Sequence, residues 1–232
     1  MSQPDLTKRP SDKAFPDLTV REFLNALAAR TPAPGGGSMT ALTAALAAAQ
    51  LRMVIAYTHG KPKFSAFEKI LEDYDARLAR AGEILCELMQ EDKAAYEALN
   101  PFMKMPLAQR RADPRYSAVV AAAIGIPRAV GVAAANIVEA AEILRDKVNT
   151  MLISDLGVAA GTAMAAVESA EFNVLINLPL LEDAAAAKSI AFSLIELRQK
   201  SRQRYRHISE TLLNNLSATL LEAADKNVGA RG

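Results

Sequence analysis

The segment that most constrains this chain runs from Pro34 to Tyr57. Three consecutive glycines, Gly35, Gly36 and Gly37, lead through Ser38 into an apolar run, Met39 to Tyr57, in which alanine is the commonest residue. The run has no period-two alternation, so it does not read as a half-buried strand. Alanine is the best helix former, and its small side chain lets helices approach closely. The glycines let the backbone turn sharply and lie against a neighbour or a ligand. The helix that follows presents unpaired N–H groups and the positive end of its dipole. Gln50 and Arg52 interrupt the run. An arginine in mid-span is costly in lipid, so the expectation is a buried helix of a soluble protein with no membrane partner.

The rest of the chain predicts helices as well. Residues 1–16 are polar and broken by Pro4, Pro10 and Pro16, and read as a flexible tail without the apolar core of a signal peptide. Thr19 and Glu22 form a capping box for a first helix ending near Arg30, with Leu18 and Phe23 as its staple. Ser65 and Glu68 suggest a second box opening a long helix to about Asn100, closed by Pro101 and Pro106. Asp113-Pro114 predicts the next start, with a helix to about Lys147 kinked at Gly125 and Pro127. Ser154 is expected to cap a fifth helix reaching Asn173, and Asp183 to open a last one to about Ala224. The reading is all-α: an up-and-down bundle with long helices, one domain over 17–225, a frayed end at 226–232, and a homodimer as the default assembly.

Composition narrows the function classes. The formal net charge is +1 and no aromatic-basic pattern appears, which argues against a nucleic-acid partner. Cys86 is the single cysteine, so no internal disulfide can form, in keeping with a cytoplasmic protein. With two distant histidines, His59 and His207, and no spaced cluster, no metal-site signature is read.

The candidate chemistry rests on a few residues. The loop Pro34, Gly35, Gly36, Gly37 and Ser38 reads equally as a ligand cradle or as a connection between packed helices. Asp92 falls on the stripe Leu85, Leu88, Asp92, Ala95, Tyr96, Leu99, where a carboxylate is costly unless paired. Desolvation there would raise its pKa toward the range of general acid–base work; the competing reading is a core carboxylate tied to a local donor. Asp155, after Ser154 at a helix start, fits a charge favoured by the helix dipole better than a catalytic group. Lys61 and Lys63 could grip a carboxylate-bearing ligand or simply be solvated. The basic run Arg198, Lys200, Arg202, Arg204, Arg206 reads as a solvated face or dimer contact, and Cys86 as an inert core thiol.

Several segments together resemble the cyclodeaminase/cyclohydrolase family. Thr31 to Ser38 before an alanine-rich helix is similar to its opening motif. Thr58-His-Gly-Lys61-Pro-Lys63-Phe64 resembles its basic turn, Asp92-Lys-Ala-Ala-Tyr96 its Asp-x-x-Ala-aromatic segment, and Ile126-Pro127 its kinked helix. Ile153-Ser154-Asp155-Leu156-Gly157-Val158 and Asn173-Val-Leu-Ile-Asn177 resemble two later motifs, in family order. The resemblance implies a homodimeric enzyme of folate-dependent one-carbon metabolism, with a tetrahydrofolate derivative as substrate and no metal or tightly bound cofactor. It implies Asp92, with Asp155, as the catalytic pair. It further implies that Pro34 to Ser38, Thr58, Lys61, Lys63, Ser154 and Asn173 line the substrate site. The leading activity is hydrolysis of methenyltetrahydrofolate to formyltetrahydrofolate; the alternative is formiminotetrahydrofolate cyclodeamination with release of ammonia. The sequence departs from the family pattern at Ala56, Pro62, Met151 and Leu156, and the first three motivate a third reading, a folate-like ligand binder or helical interaction protein without catalysis.

Overall fold

A computed structural model describes the backbone of residues 13–229 and the side chains of residues 13–217. Seven α-helices and no strands are found among the described residues. They are α1 Val20–Ala28, α2 Gly36–Ala56, α3 Glu68–Met103, α4 Leu107–Ala112, α5 Tyr116–Leu144, α6 Ile153–Leu175 and α7 Ala184–Gly229. The expected all-α bundle with long helices is what forms.

Cross-helix bonds give the directions. Ser38 of α2 meets Asp92 of α3 while Arg52 meets Asp75, so these two helices run antiparallel. Asn173 of α6 bonds Thr40, and Gln50 bonds Asp155, so α6 is antiparallel to α2. The centre is α6, whose Ala159, Ala160, Ala163, Ala166 and Ala170 are fully buried against α2, α5 and α7. Small residues set how closely the helices approach: a β-carbon on Gly131 would stand 3.1 Å from that of Ala170.

Local sequence signals were obeyed unevenly. The Thr19/Glu22 capping box forms, and Asp183 Oδ1 accepts the N–H groups of Ala185 and Ala186 at the start of α7. The Ser65/Glu68 box does not form. A 3-10 turn, Pro62–Phe67, precedes α3, and the Glu68 carboxylate instead accepts the Gly60 N–H at 2.8 Å. Ser154 is exposed and caps nothing; Asn149 takes that role, accepting from the Met151 N–H at the 3-10 turn before α6. Asp113 accepts the Arg115 N–H, but α5 begins only at Tyr116. Pro101 lies inside α3, whose last turn is held by Phe102 packed 5.4 Å from Tyr116.

The ends also differ from expectation. Residues 1–12 of the expected tail lie outside the described residues, but Phe15 is buried edge-on to Phe23 and its N–H reaches the Gln90 side chain. At the other end α7 continues through Gly229, and residues 230–232 lie outside the described residues. The basic run on α7 is largely spent within the chain. Arg198 pairs with Glu171 at 2.7 Å, Arg202 with Glu168, and Arg204 with Glu139 and Glu142. Cys86 is only partly buried, though burial still pushes its thiol up.

Asn177 resolves the proline inside α5. Pro127 has no N–H, so the carbonyl four residues back, that of Ala123, loses its helical donor. Asn177 Nδ2 fills the gap at 3.1 Å and also bonds the Asn173 carbonyl at 3.0 Å. The end of α6 is thereby fixed against α5 at the level of the glycine loop.

Candidate active site

The first turn of α2 lacks a cap of its own. Its N-cap is Gly35, which has no side chain to offer. Asp92 supplies one from α3. It projects from the stripe that buries Leu85, Leu88, Met89, Ala95 and Leu99, and so is directed at α2 rather than at solvent. Tyr96, placed on the same stripe by sequence, is 45% exposed. Ser38 Oγ lies 2.9 Å from Asp92 Oδ2, and the nearby Ser38 backbone N–H favours the charged carboxyl.

The fit leaves no room at residue 37. A β-carbon on Gly37 would lie 1.9 Å from Asp92 Oδ1. On the other side, a β-carbon on Gly36 would lie 3.1 Å from Asn173 Oδ1. Asn173 donates to Thr40 Oγ1 at 3.1 Å, and Thr40 donates to the Gly36 carbonyl at 2.6 Å. Pro34 is buried behind the loop, whereas Gly36 is exposed. The structure therefore gathers Pro34 to Ser38, Asp92 and Asn173 around one helix start that is open to solvent at Gly36.

Burial pushes the Asp92 carboxyl above its ordinary value, against the opposing effects of the Ser38 hydroxyl and N–H. Ser38 can serve either protonation state. Its Oγ is 2.9 Å from Asp92 Oδ2 and 3.1 Å from the Met89 carbonyl oxygen, but it has one proton. With Asp92 ionised, the hydroxyl donates to the carboxylate. With Asp92 protonated, the acid donates to Ser38, whose own proton turns to Met89. A carboxyl whose burial favours its protonated form, with a hydroxyl able to follow its proton, is suited to taking a proton and returning it.

The remaining candidates lie elsewhere. Asp155, in the first turn of α6, accepts from Gln50 Nε2 at 2.8 Å. Gln50 is some thirteen residues along α2 from the glycine loop, or roughly 20 Å at 1.5 Å per residue. Lys61 and Lys63 are exposed beyond the far end of α2. Thr58 is fully buried, donating to the Val54 carbonyl at 2.7 Å and accepting the Asn149 N–H at 2.9 Å. It ties the basic turn to the segment before α6 rather than facing a ligand. Within the chain, then, the glycine loop does not form a single pocket with Lys61, Lys63, Asp155 and Ser154. Sequence reasoning missed Gln50, Thr40 and the structural role of Asn177. Gln50 had a signal, as a polar residue in the alanine-rich run, but its partner is remote in sequence.

Comparison with known proteins identifies the family and the fold. Residues 19–194 match the profile of the family described as formiminotransferase-cyclodeaminase. The chain is 30% identical over 174 residues to a methenyltetrahydrofolate cyclohydrolase of Methylorubrum extorquens, covering 73% of this chain and 84% of that one. It is 29% identical over 211 residues to the formimidoyltransferase-cyclodeaminase of Gallus gallus, covering 81% of this chain but only 39% of that longer protein. In three dimensions it resembles the crystal structure of formiminotetrahydrofolate cyclodeaminase from Thermotoga maritima. That likeness has a TM-score of 0.80 at 25% identity and covers 87% of this chain and 98% of the other. A profile match over most of the described helices, together with these relatives, shows that the chain belongs to the formiminotransferase-cyclodeaminase family.

Proposed function

We propose that this chain is an enzyme of folate one-carbon metabolism that hydrolyses methenyltetrahydrofolate to formyltetrahydrofolate, with Asp92 as acid and base. The observation that carries the reading is the half-buried Asp92 carboxyl, raised in pKa and bonded to Ser38 at the glycine-lined start of α2. The methenyl carbon is a cation shared between two nitrogens and is already electrophilic. Water attacks it while the Asp92 carboxylate takes the water's proton. The acid so formed then returns that proton to one nitrogen of the tetrahedral adduct, the carbon–nitrogen bond breaks, and the adduct's hydroxyl loses its proton to solvent to leave the formyl group, so that one proton is released overall. Holding substrate and water at the loop supplies the rest of the acceleration.

A homodimer accounts for the candidates left far from Asp92. Met39 and Leu46 on α2 with Tyr57 just beyond its end, and Val158 and Phe172 on α6 with Ile176 just beyond its end, are exposed. By length and composition both helices are also apolar enough to cross a membrane, yet much of that surface is uncovered. A second copy placed across this face by a two-fold axis would bury it. The same axis would bring Lys61 and Lys63 of one chain toward the glycine loop of the other, where they could hold the carboxylates of the substrate's glutamate tail.

The second reading, formiminotetrahydrofolate cyclodeamination, is favoured by the name of the Thermotoga maritima protein and the near-complete overlap with it. Both reactions use similar proton traffic. Loss of methenyltetrahydrofolate absorbance on adding the protein supports the first. Ammonia release from formiminotetrahydrofolate with no effect on the methenyl compound would replace it with the second, and turnover of neither would remove both.

A further inference from the structure

The turn between α2 and α3 brings together three side chains that the site at Asp92 does not use. Gly60 sits at φ +75°, a left-handed conformation that favours glycine, and reverses the chain so that His59 lies over the first turns of α3. There Glu68 and Glu72, four residues apart, share one helix face. His59 Nε2 lies 3.0 Å from Glu68 Oε2 and 3.4 Å from Glu72 Oε1. The three ligand-type atoms are all within 4.8 Å of one another.

A proton does not satisfy this group well. Only the contact between His59 and Glu72 has hydrogen-bond geometry. Glu68 Oε1 is held by the Gly60 N–H at 2.8 Å, and Glu68 Oε2, buried and facing the same imidazole nitrogen, has no hydrogen bond. One ring N–H cannot be directed at two carboxylates at once. A divalent cation among the three atoms would engage them all. Metal–ligand bonds of about 2.0–2.2 Å give neighbouring ligands separations of roughly 3.3–3.6 Å in tetrahedral geometry, near the 3.0 and 3.4 Å that separate His59 Nε2 from the two carboxylates. Arg52, which lines the same groove as His59 and Glu72, is already engaged by both oxygens of Asp75.

We propose that His59, Glu68 and Glu72 form a binding site for a divalent transition metal of the zinc class, which clamps the Thr58–Lys63 turn onto α3. One imidazole and two carboxylates suit zinc better than magnesium or calcium, which favour all-oxygen sites. Sequence spacing hides such a site, because its single histidine is nine residues from the nearer glutamate and lies in a turn.

The test is calorimetric titration of the whole purified, metal-stripped protein with Zn2+, with melting curves across the same concentrations. The expected result is one saturable site per chain and a melting temperature that rises with Zn2+. Glu72→Gln, at a side chain 65% exposed and so neutral for folding, should weaken binding by about tenfold or more, and His59→Asn should abolish it. His207 is the only other histidine, so His207→Asn should leave binding intact. No binding, or equal binding by wild type, Glu72→Gln and His59→Asn, would overturn the proposal, as would loss of binding in His207→Asn alone.

Discussion

Gly37 and Asp92 are in such close register that any side chain on residue 37 would occupy the carboxylate's place, at 1.9 Å from Oδ1. The three glycines of the loop are therefore not equivalent. A β-carbon at Gly35 meets nothing within 4 Å, and at Gly36 it meets the Asn173 side chain, whose Oδ1 is nearest at 3.1 Å. Gly35→Ala should leave kcat and the melting temperature near wild type. Gly37→Ala should displace Asp92 and lower kcat by about a hundredfold, the order expected for a misplacement near 1 Å, with Gly36→Ala between them. Steady-state kinetics of the three variants decide it; equal effects at 35 and 37 would mean that Asp92 is not positioned by this contact.

Asp92→Asn separates capping from chemistry. Asparagine caps helices as well as aspartate does, and its amide can still reach Ser38 Oγ, as donor or acceptor. The variant should fold and lose activity by about 10²–10⁴-fold, the usual range for a general acid–base group.

The same substitution carries a pH signature. The folded carboxyl has a pKa above its ordinary 3.8. Between the unfolded and folded values the folded chain binds more protons than the unfolded one, so wild-type stability falls as pH rises through that window. Below the window the charge is absent in both states; above it the penalty is complete. The asparagine variant carries no such penalty. The stability of Asp92→Asn relative to wild type should therefore be greater at pH 7 than at pH 3, in denaturant melts. A difference that is flat with pH would show that burial does not penalise this carboxylate.

Sequence patterns locate the helices well because each helix advertises itself locally, through the period of its apolar stripe and through caps such as Thr19 and Asp183. They locate Asp92 for the same reason: a carboxylate on the Leu85–Leu99 stripe has to face the core. They fail where one residue can serve two partners. Glu68 is three residues from Ser65, yet a histidine turn and a glycine N–H claim its carboxylate. Ser154 precedes a helix, yet Asn149 does the capping because a 3-10 turn intervenes. Distances along the bundle are also invisible. Nothing local in Gly36, Gln50 or Lys61 states that a straight helix holds the motifs at its two ends apart.

Asn177 offers a test of how the fold supports the site. Asn177→Ala leaves the Ala123 carbonyl without a donor and should cost about 1–3 kcal/mol, the penalty for a buried unsatisfied group. Pro127→Ala restores a backbone N–H four residues beyond Ala123. The loss from Asn177→Ala should therefore be smaller in the Pro127→Ala background. Denaturant melts of the four proteins in the double-mutant cycle measure the coupling; additive effects would mean that Asn177 does not compensate for the proline.

The two-fold assembly can be tested without a structure of it. Leu46 is 58% exposed and Phe172 73%, on the face proposed to meet a second copy. Leu46→Asp and Phe172→Glu each place a charge there, so sedimentation should shift from dimer to monomer while the helical circular dichroism stays unchanged. If the site needs the glycine loop of one chain and the basic turn of the other, Asp92→Asn and the double variant Lys61→Ala/Lys63→Ala should each be nearly inactive alone. Mixed in equal amounts and allowed to exchange, half of the dimers are hybrids, and each hybrid holds one intact composite site. Activity should then recover to about a quarter of wild type. Recovery is possible only across chains, because no single chain in the mixture carries both Asp92 and the two lysines. A dimer that forms but gives no recovery would place Lys61 and Lys63 outside the site.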